Sequence, residues 1–358
     1  GLPILRGRNP IGGHILSHDF VEAALLRRMG WNVRMDPDLG GSYEGLPPTL
    51  DDLVGRERRW AQGNMQHLGI IGAKGLRWPS RIHFLIGIAS YIMSPIWLTM
   101  LIVGTGITAQ TLFTKPQYFT SARQLFPDWP TFDSVRMTWL FAAAMALLLV
   151  PKFVAVGRAW RRPLAANAGG RSRTLASALF EIVMSALIAP VQMLIQTRQI
   201  AEILSGRNSG WESQVRKGSM PPWRLVLSRH WIHVASGLAV LAVVAMLSPG
   251  QLIWLSPILA GLILAPAISR WTASPVFGRW ARMAGLLVTP EERRVPPIIA
   301  AATATLRERI PVRIGTRTRA SAAAWTASGT PASRAAAARS TTACCRDSVS
   351  QVGWGMLA

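Results

Sequence analysis

Hydrophobic and polar positions along the chain fall into two regimes, with the change near residue 76. Before it, apolar residues recur at helical spacing among charges; after it, they run in long blocks. Val21, Ala24, Leu25 and Met29 share one face of a helix predicted over residues 18–29. Ser17 is its expected N-cap, Asp19 falls in its first turn, and Gly30 is its expected stop. Residues 1–16, which include Gly12-Gly13, are rich in Gly and Pro and read as strand and loop. Residues 31–35 have the composition of a short strand, and residues 36–48 form a loop carrying Tyr43 and Glu44. Thr49 followed by Asp52 resembles a capping box, so a second helix is expected to start there and run through Trp60.

The blocks that follow are long enough to matter to a bilayer. Residues 82–108 carry no formal charge and exceed the roughly 20 residues a spanning helix needs. Residues 137–156 are broken only by Lys152, and with the polar loop over residues 113–133 the two blocks predict a hairpin. Residues 158–173 are strongly basic and so are placed in the cytoplasm. Residues 175–196 are apolar but hold Glu181 and Pro190, and residues 198–229 are basic again. A simple span cannot join two cytoplasmic loops. Residues 175–204 therefore lie in the interface or re-enter, or one basic loop is on the other side. Residues 233–247 and 252–268 predict a second hairpin across Ser248-Pro249-Gly250-Gln251, with Arg270 and Arg279 beyond it. Residues 311–358 are Ala, Arg, Ser and Thr without a period; disorder is expected there, and so abrupt a shift is also what an out-of-frame reading of the gene would produce. The expected fold class is α/β plus membrane α-helical, divided into residues 1–75, residues 76–310 with about four to six spans or re-entrant segments, and the tail.

Composition strengthens the membrane reading. Hydrophobic residues make up 50% of the 358 and charged residues 16%, with 15 Trp against 3 Tyr. The formal net charge of +22 would suit nucleic acid, an anionic membrane surface or an anionic substrate. Much of it flanks the apolar blocks, at Arg77, Arg81, Arg158, Arg161, Arg216 and Lys217, which is positive-inside placement and argues against a nucleic-acid partner. Cys344 and Cys345 are adjacent and have neither metal spacing nor a disulfide framework. The chain opens on Gly1 rather than Met, without a signal peptide, and reads as the C-terminal part of a longer protein.

Few residues are candidates for chemistry. Asp19 at a helix start could remove a proton from an attacking hydroxyl, a general-base role worth about 10²- to 10⁴-fold, or could simply complement the helix dipole. Its neighbours His18 and Glu22 are weaker candidates. Arg56, Arg59 and Trp60 share a helix face, where guanidinium groups suit a diphosphate and an indole suits a sugar ring. An interfacial helix with snorkelling Arg and a belt Trp would look the same. Glu181 inside an apolar block should face protein, water or a polymer path, whereas Lys152 near a block end is expected to snorkel. The histidines lack metal-ligand spacing, and no P-loop or GxGxxG fingerprint is present.

With these residues in view, the stretch from Gly1 to His67 resembles glycosyltransferase family 2, in its branch that builds periplasmic glucans. The likeness is carried by Gly12-Gly13-His14-Ile15-Leu16-Ser17-His18-Asp19-Phe20-Val21-Glu22-Ala23, by Pro37-Asp38-Leu39 with Gly41-Ser42-Tyr43-Glu44, and by Arg58-Arg59-Trp60-Ala61-Gln62-Gly63-Asn64. It continues more loosely to about Ile310, and the tail does not match. The resemblance implies the C-terminal part of a cytoplasmic GT-A domain packed on a polytopic helical channel in the bacterial inner membrane. It implies an enzyme that polymerises a β-linked glucan from UDP-glucose and passes it to the periplasm. Asp19 would stand where the family's Thr-Glu-Asp base stands, in Ser17-His18-Asp19. Arg56, Arg59 and Trp60 would match Gln-x-x-Arg-Trp, with Arg56 where Gln is commoner. Glu181 would line the channel.

A divalent cation, Mg²⁺ or Mn²⁺, is implied too, its ligands and the donor-binding aspartates expected upstream of residue 1, so this chain alone is not expected to use UDP-glucose. The growing glucan, the bilayer, other periplasmic-glucan proteins and acyl carrier protein are the implied partners. The alternatives are another processive synthase, of cellulose or hyaluronan type, and a non-catalytic channel or transporter subunit.

Overall fold

In the computed structural model the described residues are 4, 5, 7, 11–36, 39, 42–113, 134–161, 169–207, 220–247 and 249–309. The polar loop over residues 114–133, the parts of the basic loops at residues 162–168 and 208–219, Pro37, Asp38, Gly41, Ser248 and the tail from Ile310 lie outside them.

Helix α1 is His18–Arg28. It ends because Gly30 adopts a φ of +92°, which lets Gly30 N donate to Arg27 O and Trp31 N to Leu26 O, the paired bonds of a Schellman motif. Ser17 holds the N-cap position but makes no side-chain capping bond, and Met29 is exposed rather than on the buried face with Val21 and Ala24. The strand expected at residues 31–35 is not formed: these residues are irregular and largely exposed, because no described segment offers them a ladder. Among the described residues the one antiparallel bridge joins Leu5 to Gly13.

Helix α2, Leu50–Gln66, begins at the Thr49 cap as expected and outlasts Trp60. Asp52 N donates to Thr49 Oγ1 at 3.1 Å, and the Thr49 hydroxyl in turn donates to Asp52 Oδ2 at 2.6 Å.

The apolar blocks become α3 (Trp78–Phe113), α4 (Ser134–Arg161), α5 (Arg171–Leu204) and α6 (Trp223–Leu247), all long and apolar enough to cross a membrane. A turn at Pro249–Gln251 leads to α7 (Leu252–Ile263) and α8 (Ala265–Thr272), bent by 59° at Leu264, so the second arm of the expected hairpin is a broken helix. Pro266 at the start of α8 cannot donate the bond that would continue α7. Helix α7 doubles back on α6, as the turn predicts. Helix α3 packs along α5 and α4 also docks on α5, while the loop of the hairpin expected of α3 and α4 lies outside the described residues.

Residues 175–204 belong to one unbroken helix, so the re-entrant alternative is not formed within them. At 34 residues α5 is about 50 Å long, well beyond a hydrocarbon core of roughly 30 Å. Its C-terminal half serves α2: Leu50, Val191 and Ala265 form one buried cluster with Leu53, Val54, Ile188 and Ile195 against it, and Ala61, Met65, Ile88, Tyr91, Ile200 and Ile203 form another. Gln199 Nε2 donates to Val54 O at 3.0 Å, and Glu202 receives both Arg58 and Arg198. Close approach of α7 to α5 depends on Gly261, where any Cβ would run into the Leu187 carbonyl and Pro190.

Candidate functional site

The start of α1 rests directly on α2. A Cβ at Gly63 would lie 2.9 Å from Ser17 Cβ and 3.0 Å from Ser17 N, so the backbones meet only because residue 63 has no side chain. One turn on, the buried Gln66 amide takes hold of the segment before α1: Leu16 N donates to Gln66 Oε1 at 2.9 Å, and Gln66 Nε2 donates to His14 O at 3.0 Å and Gly12 O at 3.3 Å. Beneath these contacts Val21, Ala24, Ile70, Leu76 and Phe84 form a buried cluster. His67 packs tilted against Phe84, at 4.6 Å between ring centroids, and meets Phe20 edge-on at 6.1 Å. Neither His67 nitrogen has a hydrogen-bond partner, and burial pushes its pKa down from 6.5 to about 4, so it is a neutral core side chain.

Asp19 emerges from this seam with its carboxylate 85% exposed. His18 Nδ1 lies 2.8 Å from Asp19 Oδ1 and 4.0 Å from Glu22 Oε1, so the three form a local cluster on the first turns of α1. On α2, Trp60 is three residues before Gly63, so its Cα lies about 4.5 Å along the helix from the point where α1 starts. Trp60 is 49% exposed, and Arg56 lies over its ring at 4.5 Å. Arg56 Nη2 also approaches Glu57 Oε1 at 3.5 Å, and Glu57 Oε2 accepts from the Tyr91 hydroxyl at 3.0 Å, which ties this face of α2 to α3. Arg59 is half-buried on the same helix. Arg58, by contrast, points to α5, where it pairs with Glu202 and donates to Arg207 O at 3.3 Å.

Asp19 on α1 and Arg56, Arg59 and Trp60 on α2 thus belong to helices that meet where the N-cap Ser17 lies against Gly63, while Glu181 is not among them. Glu181 sits on α5, 14% exposed, with Lys152 Nζ at 2.5 Å and the Ser185 hydroxyl donating at 3.1 Å. The snorkelling expected of Lys152 is replaced by this pair, because a carboxylate among apolar helices is stabilised by the nearest cation. Gln196 likewise accepts from Ser94 Oγ at 2.5 Å, joining α5 to α3. Gln66 and the Glu57–Tyr91 pair were not singled out by the sequence, and Gly63 entered only as part of the Arg58–Asn64 run; the one signal for Gln66 was its helical spacing from Gly63 on the Arg59–Trp60 helix. Among the described residues no group of three or more His, Cys, Asp or Glu side chains could hold a metal ion. Among the described residues the implied divalent cation thus finds no such ligand set.

The fold defines a class first: a short helical pair, carrying an exposed carboxylate and an Arg–Trp face, docked on helices able to span a bilayer. The family described as Glycosyl transferase family group 2 matches residues 7–194, more than half of the chain, and the chain belongs to that family. It is 46% identical over 299 residues to the glucans biosynthesis glucosyltransferase H of Shewanella oneidensis, covering 83% of this chain and 41% of that protein. It is 47% identical over 294 residues to the protein of that name in Shewanella putrefaciens, covering 82% and 40%. The chain thus spans about two fifths of the length of these relatives. No solved structure gives a significant match.

Proposed function

We propose that this chain carries the acceptor side and membrane region of an inner-membrane glucosyltransferase that extends a β-linked glucan from UDP-glucose and helps to export it. The observation that carries the reading is the seam of α1 on α2, which holds an exposed Asp19 beside the Arg59–Trp60 helix. The names of the Shewanella relatives supply the sugar and the glucan. In this reading Asp19 accepts the proton of the acceptor hydroxyl as its oxygen bonds to the donor's anomeric carbon and the nucleotide diphosphate leaves. Arg59, with Arg56 beside it, stabilises charge on the departing diphosphate, and Trp60 stacks on the acceptor sugar. Residues 1–75 are assigned to the cytoplasmic catalytic domain and residues 76–310 to the membrane region, with Glu181 lining the polymer path.

The test uses the complete protein in membranes supplied with labelled UDP-glucose. Glucan is expected from the parent protein and none from Asp19→Asn at equal protein level. Normal glucan synthesis by Asp19→Asn would overturn the assignment. Flux of an added sugar without consumption of UDP-glucose would instead favour the transporter reading.

A further inference from the structure

We propose that Gln66 is a positioning residue for the reaction, and that with Gly63 it fixes where the Asp19 carboxylate stands relative to the Arg59–Trp60 face. The proposal rests on the reading of Asp19 as base. Ser17 and His18 separate Leu16 from Asp19, so whatever pins Leu16 sets the origin and direction of α1's first turn. The Ser17 side chain does not do this, since it makes no capping bond. The Gln66 amide does: it accepts from Leu16 N and donates to His14 O and Gly12 O, the side-chain bonds that hold a Gly-rich segment whose other described ties are the Leu5–Gly13 bridge and the packing of Leu5 and Ile15 on the buried cluster. Gln66 is 1% exposed, so these bonds exchange little with water. Gly63 sets the spacing and Gln66 the register. Both belong to the helix that bears Arg59 and Trp60, so base and acceptor platform move as one body. A displacement of about 1 Å in a reacting group can lower turnover by 10²-fold without changing how the donor binds.

Three variants separate positioning from folding. Gln66→Met keeps the volume and removes all three bonds; Gln66→Glu keeps the acceptor for Leu16 N and loses both donations; Gly63→Ala presses α1 away from α2. In the complete enzyme Gln66→Met is expected to lower kcat per folded molecule by roughly 10- to 100-fold with KM for UDP-glucose within about twofold, and Gln66→Glu to fall between it and the parent. In the 358-residue chain itself, hydrogen exchange at the Leu16 amide is expected to speed up in Gln66→Met, a readout independent of activity. Unchanged kcat per folded molecule in both Gln66 variants, or unchanged Leu16 exchange, would overturn the proposal. The two ideas fail separately: an inactive Asp19→Asn beside a fully active Gln66→Met sinks only the positioning role, whereas an active Asp19→Asn sinks the base itself.

Discussion

At the scale of single residues, the candidate site is a contrast between one exposed carboxylate and the buried groups that hold it. Asp19 is open to an incoming hydroxyl, whereas Gln66 and His67, each 1% exposed, lie beneath α1. His67 gives this seam a pH dependence with a definite sign. Its pKa falls from 6.5 to about 4 on burial, so the unfolded chain binds the proton more readily than the fold does. Its stabilising effect is complete above pH 6.5 and is lost as pH falls toward 4, by up to about 3 kcal/mol. Thermal unfolding of the detergent-solubilised chain should therefore show a Tm decline between pH 7 and pH 5 that His67→Phe, which suits the aromatic packing on Phe84, makes shallower. An identical decline in the variant would contradict this account of His67. The candidate face was legible in the sequence because helical spacing puts Arg56, Arg59 and Trp60 on one side of α2. Gln66 was not, because its partners are backbone groups 50 to 54 residues away, which no local pattern encodes.

At the scale of elements, local signals read well and nonlocal ones poorly. Gly30 ends α1 and Thr49 begins α2 as the sequence predicts, each through bonds closed within a few residues. The strand at residues 31–35 failed, since a strand is made by its partner rather than by its own composition. The break at Leu264 was missed because residues 252–268 read as one apolar block despite Pro266. The Thr49 cap is the start of the helix that carries Arg59 and Trp60. Thr49→Ala should destabilise it by about 1 kcal/mol, seen as faster amide exchange over residues 50–56, with exchange at residues 62–66 little altered. Unaltered exchange in that first turn would mean that packing on α5, not the cap, fixes its start.

At the scale of the molecule, α3 and α5 together join the candidate site to the membrane-length region, α3 through Phe84 and the Tyr91–Glu57 bond and α5 through its C-terminal half. The sequence left residues 175–204 between conflicting topologies, because charge placement alone does not reveal that a helix's polar end packs on another element. Gln199 and Glu202 both reach α2, and Lys152 pairs with Glu181 farther along α5. Arg58 and Glu202 are 16% and 20% exposed, so their pairing is only partly screened. A double-mutant cycle of Arg58→Ala and Glu202→Ala, read by thermal unfolding, should give a coupling of about 1–3 kcal/mol; a coupling near zero would mean that apolar packing and the Gln199–Val54 bond hold α2 to α5 without the ion pair.

In the proposed reaction the α1 start presents a general base to an acceptor held beside the Arg59–Trp60 helix. That role is tested most directly by single-turnover transfer in the complete enzyme, with UDP-glucose affinity measured in parallel, for Asp19→Asn against the parent. Asp19→Asn is expected to lose transfer by roughly 10²- to 10⁴-fold with donor affinity unchanged. Transfer within a few-fold of the parent would contradict that role.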